Sequence, residues 1–156
     1  MRVHICAVGR LRTGPERVLF DDYLTRFDRT GRAHGLGPAT LIEVEDKKGG
    51  GMSAEATLLD RVIPQGAVLA VLDERGKEIT SPEFADTLAG WRDAGRSDLA
   101  LVIGGADGIA PELRARADFA LSFGRMVWPH MLVRVMLAEQ LYRAASILAG
   151  SPYHRV

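Results

Sequence analysis

Cysteine is nearly missing from this chain: Cys6 stands alone among 156 residues. One thiol excludes an internal disulfide framework and any cysteine-rich metal site. Its setting in Val3-His4-Ile5-Cys6-Ala7-Val8 reads as core packing. Long hydrophobic runs are missing too. No segment approaches the roughly 20 apolar residues that span a bilayer, and the first apolar run holds a histidine and soon ends, unlike a secretory leader. No internal repeat or low-complexity tract is present. The phosphate-cradling order GxxxxGK[ST] does not occur, and Gly9 and Gly14 lie too far apart for a GxGxxG after the first strand. The expectation is a soluble cytoplasmic protein with no metal and no membrane partner. With 47% hydrophobic and 26% charged residues the chain is ordinary globular material, and residues 1–156 suit one domain around one core.

Net charge is absent as well, with 20 bases against 20 acids. The sum hides a pattern. Residues 1–34 hold seven Arg against four acids and residues 121–156 hold four Arg against Glu139, so each end carries +3. Segments 35–60 and 61–120 carry −3 each (two bases against five acids, seven against ten). If the ends meet in space they form a positive face suited to a polyanion; the alternative is a mixed, solvated surface. Charge alone does not establish nucleic-acid binding here, and a neutral chain predicts a shallow salt dependence.

What is present alternates between apolar runs and amphipathic stretches. Residues 2–9 read as a buried strand. Gly14-Pro15 opens a helix with Leu19, Phe20, Tyr23, Leu24 and Phe27 on one face. Thr40 to Val44 form a second strand, followed by the charged, glycine-rich loop 45–51, to which no role is assigned. A helix over about 53–63 turns Leu58, Leu59, Val62 and Ile63 inward. Ala67 to Leu72 is a continuous apolar strand of the kind buried on both faces of a parallel sheet, ending in a polar loop, Asp73-Glu74-Arg75-Gly76. Ser81-Pro82-Glu83 caps a helix carrying Phe84, Leu88 and Trp91. Leu99 to Ile103 is the next strand, Pro111 begins a short helix to about Ala117, and Phe119 to Leu121 begin a fifth strand. The alternation predicts an α/β sandwich on a mostly parallel sheet, with ligands held outside the carboxyl ends of the strands. Three loops qualify: after Leu72, after Ile103, and after the short strand near Ser122.

The densest signal runs from Leu99 to Val156. A strand leads straight into Gly104-Gly105, where the missing Cβ atoms permit close approach of a backbone or ligand. The loop Phe123-Gly124-Arg125-Met126-Val127-Trp128 offers mainly backbone recognition groups and stops at Pro129-His130. A helix over about 131–148 follows that is apolar nearly all round. The sheet covers one side of it, and a second subunit is the expected cover for the other. On this helix Glu139 and Arg143 form an i,i+4 surface pair, while Arg134 is either a lone surface arginine or turned toward an anionic ligand. The chain closes on Ser151-Pro152-Tyr153-His154-Arg155-Val156.

These residues carry a resemblance. IGGADG, LSFGRMVWPHMLVR, AEQLYRA and the terminal SPYHR, together with AVG near the start, Tyr23 and Arg26, and LDERGK at 72–77, resemble the ribosomal RNA large subunit methyltransferase H family along the whole chain. That family belongs to the SPOUT class. The resemblance implies a SPOUT-type α/β fold whose C-terminal region, about 99–148, is threaded as a trefoil knot with a tail at 149–156. Bottom-up topology rules alone would give an unknotted sheet. It also implies a homodimer that binds S-adenosyl-L-methionine and methylates N3 of a pseudouridine in 23S rRNA. The target would lie in the helix 69 stem-loop facing the decoding centre, with the assembled ribosome as substrate.

The cofactor positions implied are Leu72, Gly104, Gly105 and the loop of Phe123, Gly124, Arg125, Met126, Val127 and Trp128. Backbone groups of that loop suit the edge of adenine, and Leu72 and Met126 its faces, the alternative for those two being plain core packing. Asp73 and Glu74 either favour the ribose or sulfonium or are simply solvated. The family loop commonly carries Ser at Gly124 and Thr at Val127, so contacts here fall to the backbone. Candidate catalytic residues are His130, His154 and Tyr153 as bases, with Arg134 and Arg155 on phosphate or imidate oxygen. His130 serves equally as a helix cap. The tail 153–155 is expected to close over the site, in one form that of the partner subunit. Two other readings stand: a SPOUT enzyme acting on tRNA, and a non-catalytic knot protein that binds the ribosome.

Overall fold

The computed structural model describes residues 1–155. Five strands form one sheet in the order β2-β1-β4-β3-β5, with β1 at Arg2–Val8, β2 at Ala39–Val44, β3 at Val68–Lys77, β4 at Asp98–Ile103 and β5 at Phe119–Leu121. Every registered pair is parallel, so the sheet exceeds the expected "mostly parallel". Alternate residues of the central strands enter two separate cores. Val3, Ile5, Ala7, Leu99 and Leu101 face one, and Cys6, Val71, Ala100 and Val102 face the other. Burial on both faces explains why these strands read as unbroken apolar runs.

Helices α1 (Pro15–Gly31), α3 (Ser81–Asp93) and α5 (His130–Leu148) cover the first face. On the second lie α2 (Gly51–Val62), through Leu59, and the short α4 (Pro111–Ala115), through Leu113. Helix α5 is roofed by α1 and α3 within its own chain, and Val135, Leu137, Ala138, Leu141, Ala144 and Ala145 are all buried there. The buried side of the apolar belt thus belongs to the monomer's core, while Met131, Val133, Met136, Ile147 and Leu148 are half-buried and Leu132 is exposed.

Other differences have local causes. Leu19, expected on the inner face of α1, is 46% exposed, because Phe20 and Phe27 take the core positions. Strand β3 does not end at Leu72: Leu121 pairs with both Leu72 and Lys77, so the polar residues 73–76 are an irregularity inside the strand. Gly76 makes this possible, since a Cβ there would lie 2.7 Å from the Ala120 carbonyl. The cap of α3 is Thr80, in a reciprocal capping box with Glu83, rather than Ser81, whose hydroxyl donates to Gln140 Oε1 at 2.7 Å.

The basic chain ends do meet, since α1 packs on α5. Much of their charge is paired within the chain, while Arg12, Arg29, Arg32 and Arg125 make no ion pair among the described residues. Arg2 pairs with Asp98, Arg17 with Asp21, Arg26 with Asp22, Arg134 with Glu43 and Arg143 with Glu139. Neutralisation occurs pair by pair, which a segment total cannot reveal.

Candidate active site

The three strand-end loops converge. The residues after β4, the irregular stretch of β3 and the loop between β5 and α5 enclose a cleft of about 430 Å³ at the carboxyl edge of the sheet. That volume lies in the range of small-molecule sites. Leu72, Gly104, Gly105, Phe123, Gly124, Met126, Val127, Trp128 and His130 all line it, as the sequence reading grouped them. Arg125 of the same loop is exposed and does not line the cleft.

Each wall has a physical origin. After Ile103 the chain turns back on itself: Gly108 N–H donates to the Gly105 carbonyl at 3.0 Å, and the two glycines form an isolated bridge. A Cβ at Gly104 would stand 2.4 Å from the Gly108 carbonyl oxygen, so no other residue fits this turn unaltered. Sequence reasoning stopped at Gly105 and missed Asp107, Gly108 and Ile109, although Asp107-Gly108 is a recognisable turn signal. It also missed Ser122. This buried hydroxyl lies 3.1 Å from the Glu74 carbonyl and accepts from Gly124 N–H at 3.1 Å, tying the apolar loop to the β3 irregularity. Beyond that tie the loop is open: Met126 is 73% and Val127 86% exposed.

The acids at the cleft divide. Asp73 is not free for a ribose or sulfonium, because its carboxylate is bound by Arg75 at 3.2 Å and Arg114 at 3.3 Å and its side chain is only 5% exposed. Burial raises its pKa, but hydrogen bonds from Arg75 and the Arg114 charge outweigh that and hold it below the usual carboxylate range. Glu74 is exposed on the rim. Glu55, from α2, reaches the back of the Gly105 turn, where a Cβ would meet its oxygens at 2.9 Å. Burial, then the nearby Asp107 and Asp46 charges, push its carboxyl up, with His130 opposing.

Residues grouped as catalytic separate into three places. His130 lies in the cleft, at the first position of α5; it caps nothing, since Pro129 holds the N-cap position. Arg134 is neither at the surface nor turned to a ligand. It is 0% exposed, and its guanidinium donates to Glu43 Oε2 at 2.9 Å, the Val8 carbonyl at 2.7 Å and the Gly9 carbonyl at 2.8 Å. The tail lies elsewhere again. Tyr153 Oη donates to Glu139 Oε1 at 2.9 Å, Arg143 binds the same oxygen at 2.6 Å, and the Tyr153 ring lies 4.5 Å from that of Tyr142. Arg143 Nη1 donates to His154 Nδ1 at 3.3 Å, so the imidazole proton sits on Nε2, which is buried without a partner. Arg155 is exposed. At about 1.5 Å per helical residue, Glu139 and Arg143 stand about 14 and 20 Å along α5 from His130. The supposed surface pair is thus the anchor of the tail, far from the cleft of its own chain. Among the described residues no His/Cys/Asp/Glu group could hold a metal, and no helix is long and apolar enough to cross a membrane.

Residues 1–154 match the family described as "Predicted SPOUT methyltransferase". The chain belongs to the SPOUT methyltransferase family. It is 78% identical, over all of both chains, to a ribosomal RNA large subunit methyltransferase H of Ruegeria pomeroyi. It is 76% identical to one of Roseobacter denitrificans, over 99% of each chain. Among solved structures, the SpoU methyltransferase AviRb from Streptomyces viridochromogenes in complex with the cofactor AdoMet is 18% identical, over 96% of this chain and 59% of that one, with a TM-score of 0.45. That likeness carries no weight beside the sequence matches.

Within the family's chemistry the cleft's fit to a methyl donor is a matter of surfaces. The apolar faces of Leu72 and Met126 and the backbone-rich 123–128 loop suit a flat heteroaromatic with a short polar tail, while the space beside Gly104 is taken by the Gly108 carbonyl of the same turn.

Proposed function

We propose that this chain methylates N3 of a pseudouridine in the helix 69 stem-loop of 23S rRNA, using S-adenosyl-L-methionine and acting on the assembled ribosome in the cytoplasm. The observation that carries the reading is full-length identity of 78% to a ribosomal RNA large subunit methyltransferase H. A strand-end cleft of suitable size and lining stands beside it. The threading of residues 99–148 as a trefoil knot belongs to the same reading.

S-adenosyl-L-methionine, when bound, supplies a methyl group on a sulfonium centre. Leu72, Gly104, Gly105, Phe123, Gly124, Met126, Val127 and Trp128 would hold it. The protein's own task is to align the acceptor nitrogen and exclude water. An imide N–H becomes a good nucleophile only as its proton leaves. His130 is the candidate base that the cleft itself contains. Tyr153, its phenol pushed up by burial and by the Glu139 carboxylate, stays protonated near neutrality and serves as a donor rather than a base.

The tail's placement supports a homodimer. Anchored about 14–20 Å along α5 from its own cleft, Tyr153-His154-Arg155 would, in this reading, complete the cleft of another copy. Large apolar side chains left exposed on α1 (Val18, Leu19), the cleft loop (Met126, Val127, Trp128) and α5 (Leu132) offer the contact.

The test is methyl transfer from labelled cofactor to ribosomes lacking this modification, beside free rRNA, separated subunits and bulk tRNA. Label confined to assembled ribosomes at a pseudouridine is expected. Label on tRNA overturns the substrate, and cofactor binding without transfer to any RNA leaves a ribosome-binding protein. Mixing a cleft-blocked chain (Gly104→Val) with one lacking residues 152–156, each inactive alone, restores part of the activity if the site is shared between copies. No recovery contradicts that arrangement.

A further inference from the structure

The glycine-rich loop 45–51 takes no part in the cleft, yet topology places it beside one. Strands β1 and β2 are parallel neighbours with Val8 opposite Val44. The segments that follow them, 9–14 and 45–51, therefore leave the sheet side by side at the carboxyl edge, next to the β4 turn that walls the cleft. Helix α2, entered from the second segment, brings Glu55 against Gly105 of that turn. Four cations cluster on these two segments: Arg10, Arg12, Lys47 and Lys48, all exposed. Arg10 lies 3.2 Å from Glu45 across the strand pair. Arg12, Lys47 and Lys48 make no ion pair among the described residues, unlike Arg17 and Arg26 of α1, whose acids stand one helical turn away.

Both segments are held in shape. Glu43 Oε2 accepts from Leu11 N–H at 2.5 Å and from Arg134, while Arg134 also grips the Val8 and Gly9 carbonyls. Arg17 Nη1 donates to the Leu11 carbonyl at 3.1 Å, and Leu11 is buried. In the second segment Asp46 accepts from Lys48 N–H at 3.1 Å and Gly50 N–H at 2.5 Å. Asp46 thus braces its own loop. Exposed cations on braced backbone lose less freedom on binding than cations on loose chain.

We infer that Arg10, Arg12, Lys47 and Lys48 form a phosphate-contacting ridge that seats the RNA backbone beside the cleft, with Arg134 and Glu43 as its positioning residues. The inference rests on the proposed RNA substrate. It explains how a chain of zero net charge engages a polyanion: the charge that matters is local to the ridge beside the cleft. The shallow salt dependence expected from total charge is replaced by one set by this ridge. Phosphate neutralisation contributes a slope of about 0.7–0.9 in log K against log salt per contact.

The test compares the full-length protein with Arg12→Ala/Lys47→Ala/Lys48→Ala, and with Arg29→Ala/Arg32→Ala at the opposite edge of the sheet. Co-sedimentation with purified ribosomes is measured from low to moderate KCl, together with S-adenosyl-L-methionine affinity and methyl transfer. For the ridge variant the expected result is at least about tenfold weaker ribosome binding and a salt slope reduced by about 2, the loss of three contacts. Cofactor affinity and the rate at saturating ribosome stay unchanged, and the Arg29/Arg32 variant behaves as the parent. Equal affinity and slope in ridge variant and parent overturn the inference, whatever the enzyme methylates. Absence of methyl transfer by the parent, with the ridge effect intact, instead overturns the catalytic reading.

Discussion

The two edges of the one parallel sheet are built differently. At the amino edge polar groups are closed by pairs near the surface: Asp98 accepts from Arg2 at 2.9 Å and lies 2.7 Å from His4 Nε2, and the Met1 ammonium donates to the Gly35 carbonyl at 2.6 Å. At the carboxyl edge the strongest pairing goes inside, through Arg134 and Glu43, and the surface carries glycine turns, exposed Met126 and Val127, and cations of which Arg10 and Arg75 are paired and Arg12, Lys47 and Lys48 are not. The amino edge holds the strands together. The carboxyl edge places its bonds beneath the surface so that the surface remains free for ligands, as open parallel sheets commonly do.

The contrast predicts unequal costs for breaking the two kinds of pair. Arg134→Met leaves Glu43 with only the Leu11 N–H and takes the guanidinium from two carbonyls, and should lower unfolding free energy by about 3 kcal/mol. Arg2→Ala at the other edge, where the guanidinium is largely exposed, should cost no more than about 1 kcal/mol. Urea unfolding of both variants checks this, and equal losses would erase the distinction between the edges. Next in size, Gly104→Val drives a side chain into the Gly108 carbonyl. Cofactor affinity should fall by about 100-fold, about 2.7 kcal/mol, measured by calorimetry, with secondary structure retained in circular dichroism.

Smaller effects sharpen the amino edge. Hydrogen bonds from Arg2, then His4, hold the Asp98 carboxyl below the ordinary range, so its contribution is present above the unfolded carboxylate pKa of about 3.9. It is lost as pH falls through the depressed folded value. The stability gap between parent and Asp98→Asn, about 1 kcal/mol near neutrality, should hold down to about pH 4 and close below it in pH-dependent unfolding. Least of all in energy, Cys6 in β1 has its thiol pushed up to about 12 by burial. It should resist a disulfide reagent at about pH 8 until the protein is unfolded, and rapid labelling of the native chain would contradict the buried centre both edges share.

How much of this was legible in sequence follows from separation along the chain. The strands, the cleft loops and the glycine turn are local patterns, and Leu72, Gly104 and Phe123 could be grouped because ligands gather at strand ends. Arg134 could not be placed, since its partners Glu43 and Val8 lie 91 and 126 residues away and i,i+4 reasoning sees neither. The Glu139–Arg143 pair was visible but not its burden, because Tyr153 returns to it only when the chain folds back. How the apolar girth of α5 is shared between cover by α1 and α3 and the half-buried remainder was not legible either, because α1 lies about 100 residues earlier in the chain. The segment charges misled for the same reason: pairing is a property of space.

Hydrogen exchange of the full chain, with and without S-adenosyl-L-methionine, tests most directly that the carboxyl edge is the working edge. Protection should concentrate in residues 104–109 and 121–130 and in the 72–77 irregularity, with the amino edge around residues 32–38 and 95–98 unchanged. Protection at the amino edge, or none at 104–109 under saturating cofactor, would contradict the placement of the site.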